Sequence, residues 1–197
     1  FIDRDNIVSI FRDAHTFFDV TELDFFSLDI DGNDFYIMEE LFKNSIFPKV
    51  VCVEYNAKFH PPHKFKIKYN KTHVWDGTDY MGCSLQDYTD LFTANNYTLI
   101  CCNIPGINAF YVRNEFAGAF KQYTIDEIYQ PFRYYLSPFT LGHKPSLKYL
   151  AAYLAFIHKK KVLIISNEMS EEKMRLCLIT TALNNKKIQE LHGQKIS

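Results

Sequence analysis

The stretch Leu23–Leu41, LDFFSLDIDGNDFYIMEEL, constrains the fold more than any other part of the chain. Leu23, Phe25, Phe26, Leu28 and Ile30 form a short, nearly continuous apolar run, the pattern of a central parallel strand covered on both faces. Asp29 and Asp31 lie two residues apart, so an extended strand sends both carboxylates to one side at its carboxyl end. Gly32 lets the chain turn at once. Asn33 or Asp34 can cap the helix that follows, with Ile37, Met38, Leu41 and Phe42 on its inner face. In an open α/β sheet, ligands bind outside the carboxyl ends of the strands, which makes the two aspartates candidates for chemistry.

The remaining chain supplies partners for this strand. Asp3–Ala14 reads as a helix opened by Asp3 or Asp5, with Ile7, Ile10 and Phe11 on one face. The helix after Gly32 ends near Asn44, and Pro48 marks the break. Lys49–Tyr55 (KVVCVEY) is a second buried strand, ending in Glu54, Tyr55 and Asn56. Two consecutive strand–helix units argue for a parallel sheet. Ser84 caps a helix through Ala94, with Leu85, Tyr88, Leu91 and Phe92 inward. Tyr97–Asn103 and Ala109–Arg113 are strands joined by a turn with Pro105 and Gly106, and so tight a connection must be antiparallel. Beyond Asn114, helices are expected over Tyr123–Tyr135, Pro145–Ile157 and Ser170–Leu183, while periodicity leaves Val162–Ile165 open between strand and helix. The expected organisation is an α/β domain over residues 1–114 and a helical extension over 115–197 that serves a partner or a second copy of the chain.

Ala57–Gly82 stands apart. It is long and polar, and it carries Pro61, Pro62, His60, His63, His73 and the single Trp75. A stretch of this length without regular structure is usually functional or disordered, and its aromatic residues argue against disorder. A net charge of −1 gives no electrostatic reason for nucleic acid or an anionic membrane as partner. No apolar run is long enough for a membrane span. Five cysteines, an odd number in apolar surroundings, read as reduced thiols of a cytoplasmic protein rather than a disulfide framework or zinc site. The chain opens on Phe and runs almost directly into a helix pattern, so an amino-terminal portion is expected to precede it.

Four segments, taken in order, carry a likeness. SLDIDGNDFYIMEEL, PKVVCVEYNA, YMGCS (Tyr80–Ser84) and GINAFYVR together resemble the carboxyl-terminal half of an S-adenosylmethionine-dependent methyltransferase of the FkbM-like type, over roughly residues 1–115. The resemblance implies a partial Rossmann-like methyltransferase sheet, parallel strands closed by an antiparallel hairpin. It implies O-methyl transfer to a hydroxyl of a saccharide or polar small molecule, with S-adenosylmethionine as cofactor. Similar sugar and macrolide methyltransferases place acidic groups at these two strand ends, in some cases with a divalent metal. Here those groups are Asp29, Asp31 and Glu54, with Asn56 nearby as a hydrogen-bonding partner. An all-oxygen set suits Mg2+ better than zinc. Asp29 and Asp31 would also face the sulfonium side of the cofactor. The family's Gly-rich turn has no counterpart here: the seven glycines are isolated and none forms G-x-G.

Plainer readings stand beside these. Asp29 and Asp31 can cap the next helix and accept backbone N–H bonds. Asp29, Asp31, Asn33 and Glu40 also fall at calcium-loop spacing, although Asp34 stands where that loop requires Gly. His60, His63 and His73 are either surface side chains or candidates for a general base, a role also open to Asp29. Trp75 and Tyr80 stack on a sugar or anchor the loop. Arg113 fits a surface ion pair better than a substrate clamp, and Lys159–Lys161 a solvated run. The rival functions are a non-catalytic binding or assembly module of methyltransferase-like fold, and a metal-dependent glycosyl-processing enzyme.

Overall fold

The computed structural model describes residues 2–133 and 162–166. In chain order the elements are α1 (Ile7–Phe17), β1 (Phe25–Asp29), α2 (Asp34–Lys43), β2 (Val50–Glu54), α3 (Leu85–Ala94), β3 (Tyr97–Cys102), β4 (Asn108–Arg113), the short α4 (Asn114–Ala117) and α5 (Ile125–Ile128), and β5 (Val162–Ser166). The fold is mixed α/β around one open sheet of order β3-β4-β2-β1-β5. β1 runs parallel to both its neighbours, β2 and β5. β4 is antiparallel to β2 and to β3, so the hairpin closes one side of the parallel strands, as its short connection requires.

The pleat sorts the side chains. Phe26, Leu28, Val51, Val53, Ala109 and Tyr111 join Ile7, Phe11, Ile37, Met38, Leu41, Phe42, Leu85, Tyr88 and Phe92 in one apolar core, so α1, α2 and α3 share a face of the sheet. Stacked Phe92 and Tyr111 rings, 4.0 Å apart, and an edge contact of Phe42 on Phe92 fill the centre. The alternate residues Phe25, Ser27 and Cys52 point the other way and are buried as well, which is why β1 lacks polar alternation. Burial in this layer raises the Cys52 thiol well above its ordinary pKa. Cys52, Cys83, Cys101 and Cys102 are free thiols, and Cys177 lies outside the described residues.

Two expectations need correction. α1 starts later than expected, at Ile7, because Asp3 accepts the backbone N–H groups of Asp5 and Asn6 just before the helix. The helix expected over Tyr123–Tyr135 shortens to Ile125–Ile128, capped by a reciprocal Thr124–Glu127 box, since Pro131 cannot continue it. Val162–Ile165, open between strand and helix on periodicity, lies in a strand, Val162–Ser166, whose VLII run pairs with β1. The helices expected over Pro145–Ile157 and Ser170–Leu183 lie outside the described residues. After α5 the chain crosses the turn before β4. Tyr55 Oη donates to Gln130 O at 2.6 Å, and Arg133 N donates to Pro105 O at 2.8 Å. Gly106 has φ +72, and a Cβ there would stand 2.4 Å from Pro131 O, so glycine is needed for both conformation and space. Arg113 is an ion-pair residue, bonded to Glu22 and Glu115 at the opposite end of the strand from Asn108. No helix among the described residues is long and apolar enough to cross a membrane.

Candidate active site

Register brings the acidic groups together. Leu28 pairs with Val53 in the parallel ladder, so Asp29 and Glu54, the next residues, sit side by side on the face that carries Ser27 and Cys52. Asp31 reaches the same point by a different route than the extended strand expected from sequence. β1 ends at Asp29, and Asp31 adopts a left-handed φ of +59 in the turn. The outcome is that one carboxylate oxygen from each of Asp29, Asp31 and Glu54 lies within 4.8 Å of the others, with all three residues half-buried. At an effective dielectric of about 20, two carboxylates ~5 Å apart repel by about 3 kcal/mol. A grouping of three therefore favours a counter-cation or a proton. Burial pushes the Asp31 carboxyl above its ordinary pKa, and the nearby His73 partly offsets this.

Oxygen ligands of one cation stand no further apart than twice the metal–oxygen distance, about 4.2 Å for Mg2+ and about 5 Å for Ca2+. The observed spacing fits Ca2+ as it stands and Mg2+ or Mn2+ after a small side-chain closure. The three carboxylates are therefore a chemically suitable set for a hard divalent cation. The calcium-loop reading fails on its other members, since Glu40 is held by Asn44 and Arg4 on α2, and Asn33 turns elsewhere.

The capping reading of Asp29 and Asp31 is displaced by Asp34. Its buried carboxylate accepts Ile30 N at 3.1 Å and Gly32 N at 3.0 Å, so it satisfies the turn from within the helix. Burial raises its pKa from 3.8 to about 6, against those two hydrogen bonds. The folded state then holds this proton more tightly than the unfolded chain does. Its contribution to stability is present at pH 4 and lost as pH rises through about 6, by about 3 kcal/mol for a shift of this size. Urea unfolding in chelator is expected to show the stability gap between parent and Asp34→Asn shrinking by that order from pH 4 to pH 7. A gap independent of pH would assign the charged carboxylate to the folded state at both pH values.

Asn33 does not cap α2 with its side chain. Instead Asn33, 4% exposed, donates from Nδ2 to Asn70 O at 2.8 Å and accepts Asn70 N at 3.4 Å. This clamps the long loop onto the acidic turn. The loop's two limbs are pinched together by Ile67 N to Gly82 O and Ser84 N to Phe65 O, and Tyr36 Oη donates to Ile67 O. From the clamp the chain runs to His73, whose N donates to Asn70 O. The His73 ring rests on Gly32, close enough that a Cβ there would lie 2.5 Å from its Cδ2. Its Nε2 is buried and has no hydrogen-bond partner among the described residues.

The other two histidines keep different company. His60 packs on Tyr129 and bonds to Pro61 O, and His63 bonds to His60 O. Of the three histidines weighed as a base, the fold therefore places only His73 against the acidic turn. Asn56 does not serve the carboxylates as the expected hydrogen-bonding partner: it is 3% exposed and its side chain bonds Asp79 O, Met81 O and Lys58 N. Trp75 and Tyr80 are about half exposed at the rim of the loop, with Trp75 Nε1 bonded to Thr78 O. Sequence reasoning missed the clamp role of Asn33 and overlooked Asn108, which pairs with Glu54 across β2 and β4. Compared with known proteins, the chain matches no family model, no curated protein and no solved structure.

Proposed function

We propose that the protein is a divalent-cation-assisted O-methyltransferase acting on a hydroxyl of a saccharide or polar small molecule. The observation that carries this reading is the convergence of Asp29, Asp31 and Glu54 at the carboxyl ends of two adjacent parallel strands, where α/β folds bind ligands. The resemblance of the four sequence segments supplies the reaction class. A cation held by these carboxylates would lower the pKa of the acceptor hydroxyl. His73, with its buried Nε2 beside the acidic turn, takes the proton that hydroxyl loses. In this reading the Ala57–Gly82 loop, with Trp75 exposed on it, closes over the acceptor when substrate binds and limits water at the reacting oxygen. S-adenosylmethionine is the methyl donor in this reading, with Asp29 and Asp31 toward its sulfonium.

The isolated glycines favour a second reading, a methyltransferase-like module that binds without transferring. Two measurements separate them. S-adenosylhomocysteine titrated calorimetrically is expected to bind when these residues are joined to the amino-terminal portion expected to precede them, and weakly or not at all to the 197-residue chain alone, whose isolated glycines form no Gly-rich turn to hold the cofactor. Tight binding by that chain alone would mean that these residues carry the main cofactor contacts. Transfer of labelled methyl to a saccharide panel, measured on the chain joined to that amino-terminal portion, is expected to rise on adding Mg2+ or Mn2+. Saccharide binding with no transfer under any cation would establish the module.

A further inference from the structure

Asn108 opens β4, paired in register with Glu54 of β2. Tyr55 N donates to Ile107 O at 2.8 Å, so the adjoining pair Glu54–Asn108 is of the non-hydrogen-bonded kind. Residues in such pairs stand closest, with Cα atoms about 4.5 Å apart and side chains on one face. Asn108, Glu54 and Asp29 therefore form one row across three strands. Asn108 is 7% exposed, and its Oδ1 is buried with no hydrogen-bond partner among the described residues. Its backbone is fully occupied: Asn108 N donates to Asn103 Oδ1, and Asn108 O accepts Asn103 N.

A buried amide oxygen left unbonded costs about 1–3 kcal/mol, and evolution could remove it at this position with Val or Thr, both favoured in strands. A side-chain carbonyl is also an ordinary ligand for Mg2+, Mn2+ or Ca2+. We propose that Asn108 is a neutral fourth oxygen of the cation site formed by Asp29, Asp31 and Glu54. This rests on the cation reading given above and extends it to a residue on the antiparallel strand. A neutral fourth ligand adds coordination without adding a fourth negative charge to a crowded site.

The test is Mn2+ titration of the full chain, followed by electron paramagnetic resonance. The parent is expected to bind Mn2+ saturably, and Asn108→Ala to weaken that binding by about 10-fold or more, in line with the loss of other metal-site partners. Asn108→Asp keeps the size and shape of the side chain, so it remains informative if the Ala variant folds poorly. It is expected to tighten binding at least several-fold, since affinity follows the charge of the ligand set. Affinity within about twofold of the parent for either folded variant would overturn the role of Asn108 while leaving the three carboxylates as the site. A parent that binds no Mn2+ would overturn the cation reading itself, and this inference with it.

Discussion

His73→Ala is expected to lower turnover by about 10²–10⁴, the usual cost of removing a positioned base. His60→Ala and His63→Ala are expected to stay within a few-fold of the parent. The contrast follows from their surroundings. His73 rests on Gly32 with a buried Nε2 that has no hydrogen-bond partner among the described residues, whereas His60 and His63 bond to backbone oxygens of their own turn. Steady-state rates of the three single variants, with urea unfolding as a control, decide the matter. If all three turn over like the parent, the loop serves packing or specificity, and the base belongs among Asp29, Asp31 and Glu54.

The second large effect belongs to the carboxylates, and it has two signs. Asp29→Ala or Glu54→Ala is expected to abolish stimulation by Mg2+ or Mn2+ and to weaken Mn2+ binding by more than the roughly 10–100-fold that loss of an outer-shell partner costs. In chelator, Glu54→Gln is expected to make the chain more stable, by of order 1 kcal/mol after solvent screening, because it relieves repulsion within the group of three. Loss of activity with gain of stability is the mark of a site that stores strain for function. Full activity of the parent in excess chelator would rule the cation out, and the carboxylates would revert to positioning roles.

Much of the framework was legible because its signals are local. Pro48, the Ser84 cap, which accepts Asp87 N, and the Pro105–Gly106 turn placed α2, β2, α3, β3 and β4 within a residue or two of where they lie. Asp29, Asp31 and Glu54 were named as a set through the family resemblance; the register of β1 and β2 brings Asp29 beside Glu54, while Asp31 joins them through its left-handed turn. Asn33, Asn56 and Asn108 were not legible. Each owes its role to a segment distant in sequence: Asn70 for the first, the loop's return at Asp79–Met81 for the second, and β2 for the third. An asparagine at a helix start reads as a cap on any local argument, and only the register between distant segments shows that this one binds a loop. Val162–Ser166 was ambiguous for a related reason. A four-residue apolar run has no period, and the choice of strand is made by the open edge of β1.

The Asn33–Asn70 clamp divides the long loop into two halves with different freedom to vary. From Phe65 to His73 the chain is fixed by the pinch, by Tyr36 and by the clamp. From Val74 to Thr78 the apolar side chains are largely exposed, with Val74 76% and Trp75 50% open to solvent, before Tyr80 rejoins the inner half through its Oη, which accepts Lys68 N, and its ring, which packs on Phe65. Insertions, deletions and exchanges of aromatic residues in this outer half leave the path from Asn33 to His73 unchanged. The two halves can therefore diversify independently, the outer one changing what the molecule meets while the inner one keeps the imidazole on Gly32.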